Sequence, residues 1–250
     1  YMCRETLITY LAEKSKIPEG AIRNFILFGD YFKDDDAANF AENRDLKIPD
    51  EIFSVSKNVN RLAELDKFLQ DVKVADLAVG SGAFPLGMLN EITKAREVLS
   101  TYINLGGAEK IHRSLYDLKL ETIRNSIFAC DIEPSAVDIA KLRLWLTIVI
   151  DDEPTDKNIF EPKPLPNLDC NIICGNSLID EIDNLPLQNA KSQQTSLMQD
   201  QLKSNYQNLI RVQNEFFHET NHDKKELLRQ KILDVYREIL LILGKNQEVA

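Results

Sequence analysis

From Tyr1 to about residue 32, apolar side chains recur every three or four positions: Leu7, Tyr10 and Leu11, then Ile22, Phe25 and Ile26. That is the period of an amphipathic helix, and Pro18-Glu19-Gly20 breaks the run in two. Residues 33–51 are polar and acidic, with Asp34-Asp35-Asp36 among them, and read as a loop. Leu62, Leu65 and Leu69 share one face of a further helix, predicted over Asn58 to Asp71.

The pattern then changes character. Val72 to Asp76 is a short strand-like run that ends on Gly80-Ser81-Gly82, and a helix is predicted from Phe84 to Thr101. A long amphipathic stretch from about Lys110 to Asn125 leads into a second strand, Ser126 to Asp131. Pro134 sits where proline favours the first turn of a helix, which runs to about Ile150. Residues 151–168, rich in proline and acid, read as loop, and Cys170 to Cys174 as a third strand. Strands alternating with helices indicate a parallel sheet in an α/β fold. From about Gln193 no strand is predicted. Leu202, Tyr206, Leu209 and Phe216 mark one helix, and Leu228, Ile232, Val235, Ile239 and Ile242 another, with Thr220 to Asp223 as turn and N-cap. The predicted units are an N-terminal helical segment (1–71), an incomplete α/β core (72–185) and a helical hairpin (186–250).

Apolar residues make up 44% of the 250 and charged residues 28%, enough to build a core. No apolar run approaches the length of a membrane-spanning helix, no secretory signal opens the chain, and Tyr1-Met2-Cys3 begins partway into a helix, as a cut edge would. Cys3, Cys130, Cys170 and Cys174 form no Cys-x-x-Cys pair. They read as reduced, mostly buried thiols of a cytoplasmic protein, with no metal expected. Trp145 reads as core. His112, His218 and His222 lie on polar helical stretches and receive no role. The formal net charge of −10 makes the chain alone a poor ligand for nucleic-acid phosphates.

Polar groups gather at the carboxyl ends of the three strands, the edge where open parallel sheets bind ligands. The first set is Asp76 to Phe84, in which Gly80 and Gly82 allow a sharp turn and close backbone approach. A nicotinamide site would need a third glycine where Pro85 stands and a ribose acid about 20 residues on. The next strand-end acid, Asp131, lies more than twice that far beyond Gly82. S-adenosylmethionine suits the groups better. Asp76 can meet its ammonium, and its carboxylate can lie near the amides of the glycine turn and the helix N-terminus. Asp131 can accept both ribose hydroxyls, Ile132 can pack on the adenine, and Asn176 offers an acceptor and a donor to the adenine edge. Alone, each has a bland alternative as cap, surface acid or turn residue. Three such groups at successive strand ends favour one ligand.

Asp76 to Phe84 is similar to the Asp-Pro-Ala-x-Gly-Ser-Gly-x-Phe motif of adenine-N6 DNA methyltransferases, with Leu77 in place of proline. Ala129 to Pro134 with Ala140 to Leu146, and Ile173 to Leu178, look like the ribose-acid and third motifs of that group, and Tyr1 to Leu7 resembles the helix after its opening motif. The likeness covers residues 1–180. It points to single-chain type IIG or IIS restriction–modification enzymes, whose insertion after the third motif the hairpin resembles. The resemblance implies a partial Rossmann-like class I methyltransferase sheet, with S-adenosylmethionine held by Asp76, Ala78, Gly80, Ser81, Gly82, Phe84, Asp131, Ile132, Asn176 and Leu178. Phe84, though in the motif, is expected to pack against its helix.

The group's catalytic Asn-Pro-Pro-Tyr is absent from the sequence. The resemblance therefore implies a cofactor-binding part that is inactive by itself, in an enzyme that methylates adenine in double-stranded DNA and contacts the duplex through other segments. It also implies the strand order third, second, first. The first strand would then be an edge, covered by the hairpin or by a second copy. A methyltransferase acting on RNA or protein, and a non-catalytic scaffold with a decayed site, are the alternative readings.

Overall fold

A computed structural model describes residues 1–41, 59–105, 113–151, 166–179, 181–182, 185–186 and 196–245. The elements in chain order are α1 (Met2–Ser15), α2 (Glu19–Ala41), α3 (Val59–Asp71), β1 (Val74–Asp76), α4 (Ala83–Leu105), α5 (Leu115–Ser126), β2 (Ile127–Asp131), α6 (Pro134–Val149), β3 (Ile172–Cys174), β4 (Glu181–Ile182), β5 (Leu185–Pro186), α7 (Ser196–His218) and α8 (His222–Lys245). The fold is α/β and mostly helical. Its main sheet is parallel, in the order β1-β2-β3, with Asp76 beside Ala129 and Asp131 beside Cys174.

Local chemistry sets most boundaries. Lys16 ends α1 in the left-handed region, φ 57°, and its N–H reaches the Ala12 carbonyl. Ser114 caps α5 by accepting from the Asp117 amide at 3.1 Å. Asn221 does the same for α8 through the Lys224 amide, also at 3.1 Å. Pro134 opens α6. The acidic stretch read as a loop from residue 33 is helical as far as Ala41, because α2 continues through it. Residues 42–50 lie outside the described residues, as do 106–112 and 152–165. The third strand is shorter than its apolar run, since Cys170 and Asn171 form a turn before it. Asn171 is buried there and donates from Nδ2 to the carbonyls of Ile123, Arg124 and Ile127, which fixes the junction of α5 with β2. The small antiparallel β4–β5 pair was not expected.

α4 is the centre of the core. It packs against α1, α2, α3 and α5 as well as the sheet, and Met88, Leu89, Ile92, Val98, Leu99 and Tyr102 are buried along it. Val74, Ile127, Ala129 and Ile172 face this core, whereas Ala75, Phe128 and Ile173 on the other sheet face are exposed. α6 is apolar on both sides: Val137, Ala140, Leu144 and Ile148 are buried, while Ile139, Leu142, Leu146 and Val149 are about half exposed. Trp145 is partly rather than fully buried, and its indole N–H donates to the Pro166 carbonyl at 2.9 Å. No described helix is long and apolar enough to cross a membrane.

The hairpin α7–α8 has its own apolar core, including Leu209, Phe216, Leu228 and Val235. It is tied to the body near its turn. Phe217 enters the main core, Asn167 donates from Nδ2 to the Glu219 carbonyl at 3.0 Å, and Arg124 meets His218 Nε2 at 3.0 Å. Burial, and then the Arg124 guanidinium, lower the His218 pKa below its ordinary value. These ties place the hairpin beside the approach to β3, not over the outer edge of β1. The expectation that the hairpin covers that edge is therefore corrected: among the described residues β1 pairs with β2 alone.

A buried ion network joins α3, α4 and α5. Arg96, 1% exposed, bonds Asp66 at 3.0 Å and Glu121 at 2.9 Å, and Arg113 holds the other Asp66 oxygen at 2.6 Å. Arg96 Nη2 finds no hydrogen-bond partner among the described residues. Removing the cation would strand Asp66, itself almost buried, with half its charge compensation gone. Arg96→Ala is expected to cost about 3–5 kcal/mol in urea unfolding. A loss below about 1 kcal/mol would refute the network as a structural tie.

Candidate cofactor site

The backbone makes the first element of the site. After Asp76, Val79 still bonds across to β2, its N–H donating to the Cys130 carbonyl at 3.0 Å. The chain then turns through Gly80 (φ +51°) and Gly82 (φ +79°) into α4. Both angles lie where a Cβ is strained. Gly82 is also pressed against α6, since a Cβ there would come within 3.1 Å of Ala140. The Gly82 N–H closes the turn on the Val79 carbonyl at 2.9 Å.

Asp131, at the end of β2, reaches into this turn. Its Oδ2 accepts from the Gly80 amide at 2.8 Å and its Oδ1 from the Glu133 amide at 3.0 Å. The Glu133 and Gly80 amides hold its carboxyl below the usual carboxylate range. A carboxylate has about four acceptor sites, so acceptor capacity remains for a ligand. The Asp131 carbonyl in turn accepts from Gly175 N–H at 2.8 Å. Hydrogen bonds thus link the three strand ends: Val79 and Gly80 tie the first to the second, and Gly175 ties the third to the second.

The other expected residues fall on the same edge with simpler local roles. Asp76 Oδ1 accepts from the Ala78 amide at 3.2 Å and Asn176 Oδ1 from the Leu178 amide at 3.0 Å, both turns of the Asx type. Ala78, Ser81 and Asn176 are exposed, Ile132 is 71% exposed and Leu178 86%. Phe84 is partly buried against the main core, in keeping with a packing role.

The sequence reading missed two contacts. One is the Gly80–Asp131 bond. The other joins Arg143 of α6 to Ser81, with Nη1 donating to the carbonyl at 2.8 Å and to Oγ at 3.2 Å. The cysteines also divide differently from expectation. Cys130 is buried, Cys3 and Cys170 are partly so, and Cys174 is exposed. Burial, with Asp169 adding to it, pushes the Cys170 thiol up to about 11, far from thiolate reactivity. Among the described residues no three His, Cys, Asp or Glu side chains cluster as metal ligands.

No known family model matches the chain. No solved structure matches it either. Among curated proteins it is similar to a protein of Methanocaldococcus jannaschii named as a candidate type II restriction enzyme and methyltransferase, 33% identical over 149 residues. That stretch covers 58% of this chain and 12% of the relative, so the chain corresponds to a small part of that protein's length.

The lowered Asp131 pKa fixes the pH dependence of the turn. A carboxylate whose folded pKa is depressed contributes stability that is complete above its unfolded value, about 3.9. That contribution is lost as pH falls through the lower folded value. The Gly80 amide proton, followed by NMR, should therefore keep its hydrogen-bonded shift at pH 4 and titrate with a midpoint below the ordinary one. A midpoint at or above about 3.9 would contradict the bond.

Proposed function

We propose that this chain is the S-adenosylmethionine-binding part of a site-specific DNA methyltransferase of a restriction–modification system, acting on adenine N6. The observation that carries the reading is the Asp131 carboxylate, which is bonded to the Gly80 amide and retains free acceptor capacity beside exposed apolar side chains. The similarity to a restriction enzyme and methyltransferase supports it independently.

The donor set fits the cofactor. Asp131 accepts the ribose hydroxyls, and Ile132 and Leu178 offer apolar surface to the adenine. Asn176 meets the adenine edge, and Asp76 the ammonium. Ala78 to Gly82 supply backbone at the amino-acid end, where the N-terminus of α4 favours the carboxylate. A pyrophosphate is a poor fit, because Asp76 would repel it. When bound, S-adenosylmethionine supplies an electrophilic methyl group on a sulfonium. This chain's residues bind and orient it. Groups that would hold the target amine are not among them, since no Asn-Pro-Pro-Tyr occurs. The net charge of −10 favours duplex contacts through other surfaces of the enzyme. The target base would leave the helical stack to reach the methyl donor. The four free thiols favour a reducing compartment such as the cytoplasm.

The outer edge of β1 is proposed as a pairing site for a second copy, because unpaired apolar edges recruit other strands. Sedimentation over a concentration series should show self-association that Ala75→Pro abolishes. A monomer at every concentration refutes it.

Asp131→Ala is expected to weaken binding of S-adenosylmethionine about ten- to a hundredfold by calorimetry, as the loss of paired charge-assisted hydrogen bonds does. Equal affinity for both proteins would sink the assignment. The chain alone should transfer no labelled methyl to DNA. Incorporation above background would mean that the amine-holding residues lie within it.

A further inference from the structure

α6 touches the glycine turn at two points one helical turn apart. Ala140 lies against Gly82, so closely that a Cβ on the glycine would come within 3.1 Å of it. Arg143 reaches Ser81 through Nη1, which donates to the carbonyl and to the hydroxyl oxygen. The second contact constrains Ser81 chemically. A serine hydroxyl has one proton and two acceptor lone pairs. With Arg143 donating to one lone pair, the Ser81 proton is directed away from the guanidinium and is free to be given to a ligand. An anion is the partner that such a polarised hydroxyl serves best, since charge-assisted hydrogen bonds are the strong ones. The carbonyl of Ser81, which would repel an anion, is held by the same nitrogen. Ser81 itself is exposed, and the turn opens at the N-terminus of α4.

We infer that Arg143 is a positioning residue, which through Ser81 sets the glycine turn to receive the carboxylate at the amino-acid end of the cofactor. This rests on the cofactor reading above and adds to it a division of labour. Asp131, Ile132, Asn176 and Leu178 hold the nucleoside, while Arg143 acts on the amino-acid end alone. The division is measurable with two ligands. S-adenosylhomocysteine carries both ends, and 5′-methylthioadenosine carries the nucleoside without the amino acid.

The experiment measures both affinities by calorimetry on the full chain, wild type and variants. Arg143→Ala should weaken S-adenosylhomocysteine about tenfold or more, the loss of a charge-assisted contact, and leave 5′-methylthioadenosine within about twofold. Arg143→Lys, which retains a cation and several donors, should recover part of the loss. Ser81→Ala should reproduce the Arg143→Ala effect, and the double variant should be no weaker than either single one, as expected for residues acting in series. Equal weakening of both ligands would make Arg143 a general structural clamp and overturn the inference. Additive losses, or no loss for S-adenosylhomocysteine, would overturn it too. If the wild type binds neither compound, the cofactor reading falls and the role of Arg143 falls with it. If it binds both and only the Arg143 pattern fails, the cofactor reading stands.

Discussion

The Gly80 amide donates to Asp131 across 51 residues of chain, and that 2.8 Å bond turns two strand ends into one site. At its two positive-φ glycines the turn has no side chain to hold its shape, so its geometry there must come from partners of the glycine amides. Asp131 supplies one by accepting from Gly80, the Val79 carbonyl supplies a second by accepting from Gly82, and α6 presses on the turn from behind through Ala140. Because Asp131 also orders Glu133, and its own carbonyl takes the Gly175 amide, the edge of the sheet is organised before any ligand arrives. Preorganisation of this kind lowers the ordering cost of binding.

The arrangement depends on the sheet being parallel, since only then do three consecutive strands end on the same edge. The sheet in turn depends on α4, whose length and buried apolar residues let it pack against β1, β2 and five helices. Among the described residues, buried charge enters that core where Arg96 joins Asp66 and Glu121. The opposite face of the sheet is served by no described helix, and Phe128 and Ile173 remain exposed on it. Parallel sheets characteristically have both faces covered, and α6 likewise carries apolar residues on its outer side.

Periodicity, glycine placement and caps are local properties, and they made much of the molecule legible in advance: the helix pairs at both ends, the three strands in order, the proline-opened α6 and the capped turn at Thr220 to Asp223. The strand-end residues Asp76, Asp131 and Asn176 could be picked out because position along a strand places a side chain at an edge. The errors have physical causes as well. The acidic stretch after residue 32 has the composition of a loop, yet α2 runs on to Ala41. Cys170 and Asn171 belong to an apolar run, but Asn171 spends its amide on three carbonyls and so ends the turn rather than entering the strand.

Sequence by itself determined most of the helices, the three strands of the main sheet, and which chemical groups stand at the strand ends, because those depend on neighbours within a few residues. Only the tertiary structure decided which of those groups meet. That Asp131 bonds Gly80, that Arg143 reaches Ser81, that Arg96 is buried between two acids, and that the hairpin lies by β3 rather than β1 are contacts between residues far apart in the chain. No spacing rule encodes such contacts. They arise when the burial of α4 fixes the relative positions of all the elements around it.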